Sequence, residues 1–174
     1  MAWCCCWPER TAGPRRDARV RRGPAAAILG YTAAVTIPPG FRLLTEASGF
    51  AAVNGPWYEK VEGGRAIRGF RPGPQHANAL GIVHGGMLAA FLDSAMGTAV
   101  WQALDRRAVT LKLTIDYLGP GRLGDWLQAE GEVVAHDEQV AHVRGRLYGP
   151  RHDVLGAQGI FSLLSRRRVI PTRS

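Results

Sequence analysis

The second half of the chain alternates apolar and polar residues with a period of two, which is the pattern of half-buried β-strands. Within residues 109–118 the polar positions are Thr110, Lys112, Thr114 and Asp116. The same alternation returns in residues 127–133, 141–147 and 155–163. We therefore expect four consecutive strands in an antiparallel meander, with Thr110 on the polar face of the first.

A segment before these strands has a different pattern. Residues 85–104 are apolar or small at nearly every position, and Asp93 is the only charged residue among them. Such a segment predicts a helix that is buried on nearly all sides. A membrane span is disfavoured, because Asp93 would lie near its middle.

Shorter elements are expected upstream. Residues 58–62 and 65–71 flank Gly63-Gly64, which predicts a two-residue hairpin. Residues 43–50 are weakly amphipathic and predict one or two helical turns. A sheet with one apolar face and a single apolar helix have one economical arrangement, in which the sheet wraps the helix, so we expect an α+β domain.

The net charge of +8 lies at the two ends of the chain. Residues 1–24 hold six arginines and two acidic residues, and residues 166–174 hold four arginines and no acid, so the remainder is neutral. A neutral domain offers no electrostatic footprint for nucleic acid, and we expect no such partner. We expect residues 1–30 to be a disordered basic extension, 31–165 the folded domain and 166–174 a basic tail.

The positions of the cysteines and histidines argue against a metal site. The three cysteines are adjacent, at positions 4–6, and the five histidines are scattered. This spacing fits neither a disulfide framework nor a metal site, and no cofactor-binding motif occurs, so we expect neither metal nor cofactor. A domain without other cysteines and without a secretory signal is expected to be cytoplasmic and not to bind a membrane.

One motif suggests a family. The run HANALGIVHGG, from His76 to Gly86, is followed by Asp93 on the predicted helix and by YLGP in residues 117–120. This pattern resembles the phenylacetic-acid-degradation-type (PaaI-like) acyl-CoA thioesterases over residues 36–165. The resemblance implies the hot-dog fold, in which an antiparallel sheet wraps one long central helix. It also implies hydrolysis of acyl-coenzyme A to free acid and CoA.

Thioester hydrolysis needs a donor for the negative charge on the carbonyl oxygen and a base or nucleophile for the attack. Gly85 and Gly86 lie at the predicted helix start, where backbone N–H groups are free and an acyl group has room to approach. Close packing of helix on sheet is the alternative for these glycines. Asp93 must face a polar cavity, a partner charge, a reaction or a hydroxyl such as that of Thr110. The resemblance implies that Asp93 is the general base or nucleophile.

The resemblance bears on three further residues. It implies that Asn78 orients the attacking water or the thioester, while an Asx turn that holds the loop is the alternative. It implies that the Thr110 hydroxyl lies near Asp93, although threonine is also an ordinary strand residue. For His84 we favour support of the turn over acid–base chemistry, because movement of the ring would disturb the adjacent donor.

The spacing of these residues bears on assembly. Gly85 and Asp93 are about 12 Å apart along an ideal helix, which is too far for both to act on one carbonyl carbon. The hot-dog proteins that this chain resembles pair two such helices, so we expect a homodimer or a dimer of dimers with two chains at each site. Arg144 and Arg146 are candidates for binding the CoA phosphates, or they form a solvated strand face.

The sequence is compatible with two other functions. The chain is alternatively a non-catalytic acyl-CoA binding protein or a hot-dog dehydratase or hydratase, and the presence of Asp93 favours catalysis by a thioesterase. The acyl preference stays open as well, because the large apolar residues of the helix fit a pocket wall and a core equally: Met87, Phe91, Met96 and Trp101.

Overall fold

The computed structural model describes residues 36–45 and 49–165. Their secondary structure consists of seven strands, two helices and a 3-10 turn at Pro74–His76, in the order β1 (Arg42–Leu43), α1 (Phe50–Val53), β2 (Trp57–Glu62), β3 (Arg65–Phe70), α2 (Gly85–Leu104), β4 (Ala108–Tyr117), β5 (Leu127–His136), β6 (Val140–Tyr148) and β7 (Asp153–Leu163). The extension predicted for residues 1–30 and the tail predicted for residues 166–174 lie outside the described residues.

The seven strands form one antiparallel sheet in the order β1-β2-β3-β5-β6-β7-β4. The hairpin between β2 and β3 is confirmed, and Gly63 and Gly64 at its turn have φ values of 57° and 78°, a region that favours glycine. The meander is confirmed for β5, β6 and β7 but is wrong for β4, which pairs with β7 at the far edge. Alternation defines the buried face of a strand but not its neighbours, so the pattern could not reveal this.

Helix α2 begins and ends at the predicted residues and packs on one face of the sheet. Its burial on nearly all sides is wrong, because a single sheet covers one side of a helix. The covered residues are Met87, Leu88, Phe91, Leu92, Ala95, Met96, Ala99 and Val100. The other side keeps a partly exposed stripe, formed by Asp93, Ser94, Gly97, Thr98 and Trp101. The helical turns predicted for residues 43–50 are not found there: Leu43 belongs to β1, residues 46–48 lie outside the described residues, and only Phe50 is helical, as the first residue of α1.

Three glycines on the inner face of the sheet let α2 approach closely. A Cβ added at Gly131 would lie 2.9 Å from the Cβ of Ala99, and one at Gly145 would lie 2.6 Å from the Sδ of Met96. A Cβ at Gly159 would lie 3.0 Å from the Cε of Met96. These glycines occupy the inward positions predicted for β5, β6 and β7, which are confirmed as buried.

Strand β4 contains a β-bulge that changes which face its residues occupy. Thr110 pairs with Phe161 and Lys112 pairs with Ile160, so Leu111 is the extra residue. The bulge reverses the alternation, and Thr110 lies on the same face as Leu113, toward α2. The prediction that Thr110 lies on the outer, polar face is therefore wrong.

Neither of the two helices in the described ranges is long and apolar enough to cross a membrane.

Candidate active site

The first turn of α2 leaves one backbone donor without a partner. A helix has no intrahelical acceptors for its first four N–H groups. Here the Nδ1 of His84, the N-cap residue, accepts the Gly86 N–H at 2.9 Å. The N–H groups of Met87 and Leu88 donate to the His84 carbonyl at 3.0 and 3.2 Å. Among the residues described, no acceptor is found for the Gly85 N–H, so this amide is free to bind a ligand oxygen.

The loop before the helix is organised by Asn78. Its Oδ1 accepts the N–H groups of Leu80 at 2.8 Å and Ile82 at 3.4 Å, and its own N–H donates to the Ile82 carbonyl at 2.8 Å. The Asx-turn function is therefore present. Within the described ranges the Nδ2 group has no acceptor, so it remains available as a donor. We call Asn78, His84, Gly85 and Gly86 the donor end of the site.

Tyr117 belongs beside the donor end, although sequence reasoning did not select it. Its hydroxyl donates to the Gly85 carbonyl at 3.1 Å. A Cβ at Gly85 would lie 3.1 Å from the Cε1 of the Tyr117 ring. A side chain at position 85 would therefore pack tightly against the Tyr117 ring, which favours glycine there. The sequence signal was the Tyr in the YLGP motif, at an inward position of β4.

Asp93 lies in a groove along the open stripe of α2. The Thr110 hydroxyl donates to its Oδ1 at 2.7 Å, so the structure brings these two predicted residues together. The groove has a volume of about 780 Å³. Its lining is mixed, with polar or charged side chains from Glu59, Arg68, Ser94, Thr98 and Arg107 and apolar side chains from Leu44, Trp101, Val109, Phe161 and Leu164. We call this space around Asp93 and Thr110 the carboxylate groove.

An ion pair on the inner face of the sheet also lines the carboxylate groove. The Nε of Arg68 donates to Glu59 Oε2 at 3.3 Å, and its Nη1 donates to the Ser94 hydroxyl. Both charged side chains are mostly buried, at 18% and 26% exposure. Sequence reasoning missed this pair. The available signal was Arg68 between Ala66 and Phe70, two residues away on either side, which are buried on the same face of β3.

The structure does not bring the donor end and Asp93 of the same chain into one cavity. None of the residues that line the carboxylate groove belongs to the donor end. This separation agrees with the distance of about 12 Å that eight helical residues span. One chain therefore presents two half-sites, one with N–H donors and one with a carboxylate.

Arg144 and Arg146 lie apart from both half-sites, on the outer face of the sheet. Arg144 pairs with Glu132 at 2.8 Å, and Arg146 pairs with Glu130 at 3.0 Å. The hydrogen bond and charge of Arg144 lower the pKa of Glu132. Both arginines line an outer groove of about 430 Å³. Each is at least half exposed, so these ion pairs are weak and can exchange partners.

The large apolar residues of α2 divide between core and groove. Met87, Phe91 and Met96 are buried core residues, whereas Trp101 is half exposed and lines the carboxylate groove. In the part of the chain that the structure describes, no cluster of three or more His, Cys, Asp or Glu side chains is arranged to hold a metal ion.

Comparisons with known proteins bear on the family and the fold. Residues 80–154 match the family model of the thioesterase superfamily. A Pseudomonas aeruginosa protein whose name assigns it as an esterase is 30% identical over 134 residues, which cover 74% of this chain and 98% of that protein. A Bacillus halodurans protein solved with CoA is 32% identical with a TM-score of 0.62, over 71% of this chain and 83% of that one. The PaaI protein of E. coli, from the phenylacetic acid degradation operon, is 25% identical with a TM-score of 0.60, over 66% of this chain and 83% of that one.

The fold thus agrees with that of these relatives, and the predicted resemblance and hot-dog fold are confirmed. The chain belongs to the thioesterase superfamily, resembles its PaaI-like members, and is a thioester hydrolase.

Proposed function

We propose that this protein hydrolyses acyl-CoA with Asp93 as general base or nucleophile and the Gly85 N–H as oxyanion donor. The observation behind this proposal is the single unpartnered N–H in the first turn of α2. A backbone donor at a helix N-terminus suits the charge that forms on a thioester oxygen. That the solved Bacillus halodurans relative contains CoA supports the substrate class.

In the proposed reaction, water or Asp93 attacks the thioester carbonyl carbon, and the negative charge on the carbonyl oxygen is stabilised by Gly85. If Asp93 acts as a base, it takes one proton from the attacking water. In this branch the C–S bond then breaks, the acyl group leaves as the free acid, and the CoA thiolate receives the proton from Asp93. If Asp93 is instead the nucleophile, cleavage of the C–S bond leaves a mixed anhydride on Asp93. Water then hydrolyses this anhydride to the free acid and the Asp93 carboxyl, whose proton passes to the CoA thiolate. No oxidant, metal or cofactor is needed for this balance.

The other predicted residues support these two groups. We propose that the Nδ2 of Asn78 donates to the thioester or to the attacking water, since its Oδ1 is used in the loop. Thr110 orients the Asp93 carboxylate through their hydrogen bond. His84 holds the first turn through the Gly86 N–H, so Gly86 contributes space for the substrate but no free amide.

A complete site requires two chains under this proposal. Asp93 and the donor end lie in separate half-sites of one chain, and the open stripe of α2 is partly exposed where a second helix would pack. We propose that a homodimer, alone or within a dimer of dimers, places Asp93 of one chain beside Asn78 and Gly85 of the other. The acyl group then occupies the carboxylate groove.

The CoA moiety is proposed to reach Arg144 and Arg146, whose exposed ion pairs can yield to phosphate groups. The cytoplasm is the proposed location of the activity, because a domain whose cysteines are confined to positions 4–6 fits a reducing compartment.

The test is complementation between two inactive variants. Asn78→Ala and Asp93→Asn should each be nearly inactive as pure dimers. When the two are unfolded together and refolded, half of the dimers are mixed, and each mixed dimer has one intact site. Acyl-CoA hydrolysis should therefore return to about a quarter of the wild-type rate.

The matched control carries both substitutions on one chain. Mixing this double variant with either single variant leaves no intact site, so no activity should return. If mixed dimers of the single variants form, as native mass spectrometry would detect, and yet stay inactive, the shared site is wrong.

A further inference from the structure

His76 is a buried polar residue that the proposed reaction does not use. Its side chain is 4% exposed and packs edge-on against Phe70, with ring centroids 5.7 Å apart. Its Nδ1 accepts the Gly73 N–H at 3.0 Å. In the neutral ring the hydrogen must then lie on Nε2. This Nε2 is buried and has no hydrogen bond of normal geometry among the described residues.

The backbone of His76 closes the loop that leads to the donor end. Its carbonyl accepts the His84 N–H at 2.8 Å, and the next residues along form a bridge between Ala77 and Val83. The Asn78 turn lies inside this closed loop. His76 thus joins the start of the loop to the N-cap of α2 through its backbone, while its ring holds Gly73 on the other side.

The Asn54 backbone lies near the ring but forms no hydrogen bond of normal geometry with Nε2, so this buried nitrogen is poorly satisfied, which an apolar side chain would avoid. The ring does supply one thing that an apolar side chain cannot, which is an acceptor for the Gly73 N–H. Local departures from the best packing choice concentrate at functional sites. The hydrogen bond from the Gly73 N–H to Nδ1, in the loop that leads to the donor end, therefore indicates a functional role for the His76 ring.

We propose that His76 is a positioning residue, which sets Asn78 at the distance from the substrate that the transition state requires by accepting the Gly73 N–H. It contacts neither Asp93 nor the substrate. This inference rests on the proposed function, since it assigns His76 a role through the donor end.

The sharpest test compares two amide side chains at this position. In His76→Asn the Oδ1 can occupy the place of Nδ1, whereas in His76→Gln the acceptor moves out to the place of Nε2. Both variants are polar and differ in the position of the acceptor. At a temperature where thermal melts show both to be folded, we expect kcat of His76→Asn within about threefold of wild type. His76→Gln should lose at least tenfold in kcat, with KM nearly unchanged. Equal kcat values for the two variants would overturn the proposal.

A double-variant cycle separates positioning from a general structural role. In the Asn78→Ala background, single-turnover hydrolysis should show little further loss from His76→Gln, because the group that it positions is gone. If the fold-losses in kcat of the two substitutions multiply in the double variant, only the proposed role of His76 is refuted. Full activity of Asn78→Ala by itself would instead refute the proposed function, so the two failures are distinguishable.

A second measurement does not depend on whether the glutamine variant folds. In His76→Asn the N–H groups of Leu80 and Ile82, which donate to Asn78, should exchange with solvent as slowly as in wild type. Faster exchange of these amides at an unchanged Tm would mean that the Nδ1 acceptor does not hold the loop, and would overturn the proposal.

Discussion

The donor end and the carboxylate groove are built in different ways. The donor end is made by hydrogen bonds between residues close in sequence, such as His84 with Gly86 and Asn78 with Ile82. The carboxylate groove is made by distant segments, since Thr110 comes from β4, Arg68 from β3 and Asp93 from α2. A local half-site tolerates changes elsewhere in the fold, whereas the groove depends on strand register.

The two half-sites also differ in what they offer a substrate. The donor end presents backbone and amide N–H groups, and the groove presents a carboxylate with a hydroxyl donor. Removing a group from one half-site should therefore change a different part of the reaction from removing a group from the other.

The largest effect is expected at the carboxylate. Asp93→Asn keeps the shape and removes the charge, so kcat should fall by about 10³-fold, the usual contribution of a general base. The fall in kcat is measured by steady-state hydrolysis of a panel of acyl-CoA esters. Asp105→Asn is the matched control, because Asp105 caps the other end of the same helix with φ 50°, where Asn is equally tolerated. More than a tenth of wild-type activity in Asp93→Asn would contradict the assignment.

A smaller loss is expected at the donor end. The methyl of Gly85→Ala would lie 3.1 Å from the Tyr117 ring, so the ring or the helix start must shift by a few tenths of an ångström, and kcat should fall by roughly 10- to 100-fold. Adding Tyr117→Ser removes this contact. If the double variant regains activity relative to Gly85→Ala, the glycine is required by Tyr117; if it does not, the substrate itself requires the space.

Loss of the Thr110 hydroxyl, which lies beside Asp93, should lower kcat less than Gly85→Ala does. Thr110→Val preserves shape and removes the 2.7 Å hydrogen bond, so kcat should fall about tenfold, in line with a bond to a charged group. Thr114→Val, on the same strand and exposed, is the control and should match wild type. Equal activity of the two variants would exclude Thr110 from the site.

Substitutions on the outer face of the sheet should change the binding of acyl-CoA rather than its turnover. The double substitution Arg144→Gln and Arg146→Gln should raise KM for acyl-CoA by roughly three- to tenfold and leave kcat unchanged, with a weaker salt dependence of KM. Arg151→Gln removes a different exposed arginine, paired with Asp125, and serves as the control. An unchanged KM would place the CoA phosphates elsewhere.

The smallest effect concerns stability and pH. Burial lowers the pKa of His76, and the nearby Asn54 backbone opposes this less strongly. The unfolded chain therefore binds a proton at a higher pH than the folded chain does. Titration of His76 should therefore leave the free energy of unfolding constant above about pH 6.5 and should lower it as the pH drops below that value. Thermal melts of wild type and His76→Asn between pH 5 and 8 measure this, and identical pH dependence of their Tm values would contradict it.

Much of the fold and the donor end followed from the sequence. The apolar run predicted α2 from Gly85 to Leu104, and alternation predicted the buried faces of β5, β6 and β7. These features depend on the pattern of residues that are neighbours in the sequence, so they can be predicted without knowledge of the tertiary structure. The motif that contains Asn78, His84 and Gly85 was identified from its resemblance to a known family.

The tertiary structure decided what depends on long-range pairing. β4 lies at the sheet edge beside β7, because pairing between strands is not encoded in the alternation of either strand alone. The bulge at Leu111 turns Thr110 toward Asp93, and the open side of α2 exists because one sheet covers one side of a helix. Arg68 and Glu59 became part of the groove in the same way, since two adjacent strands had to pair in register before their charges could meet on the inner face.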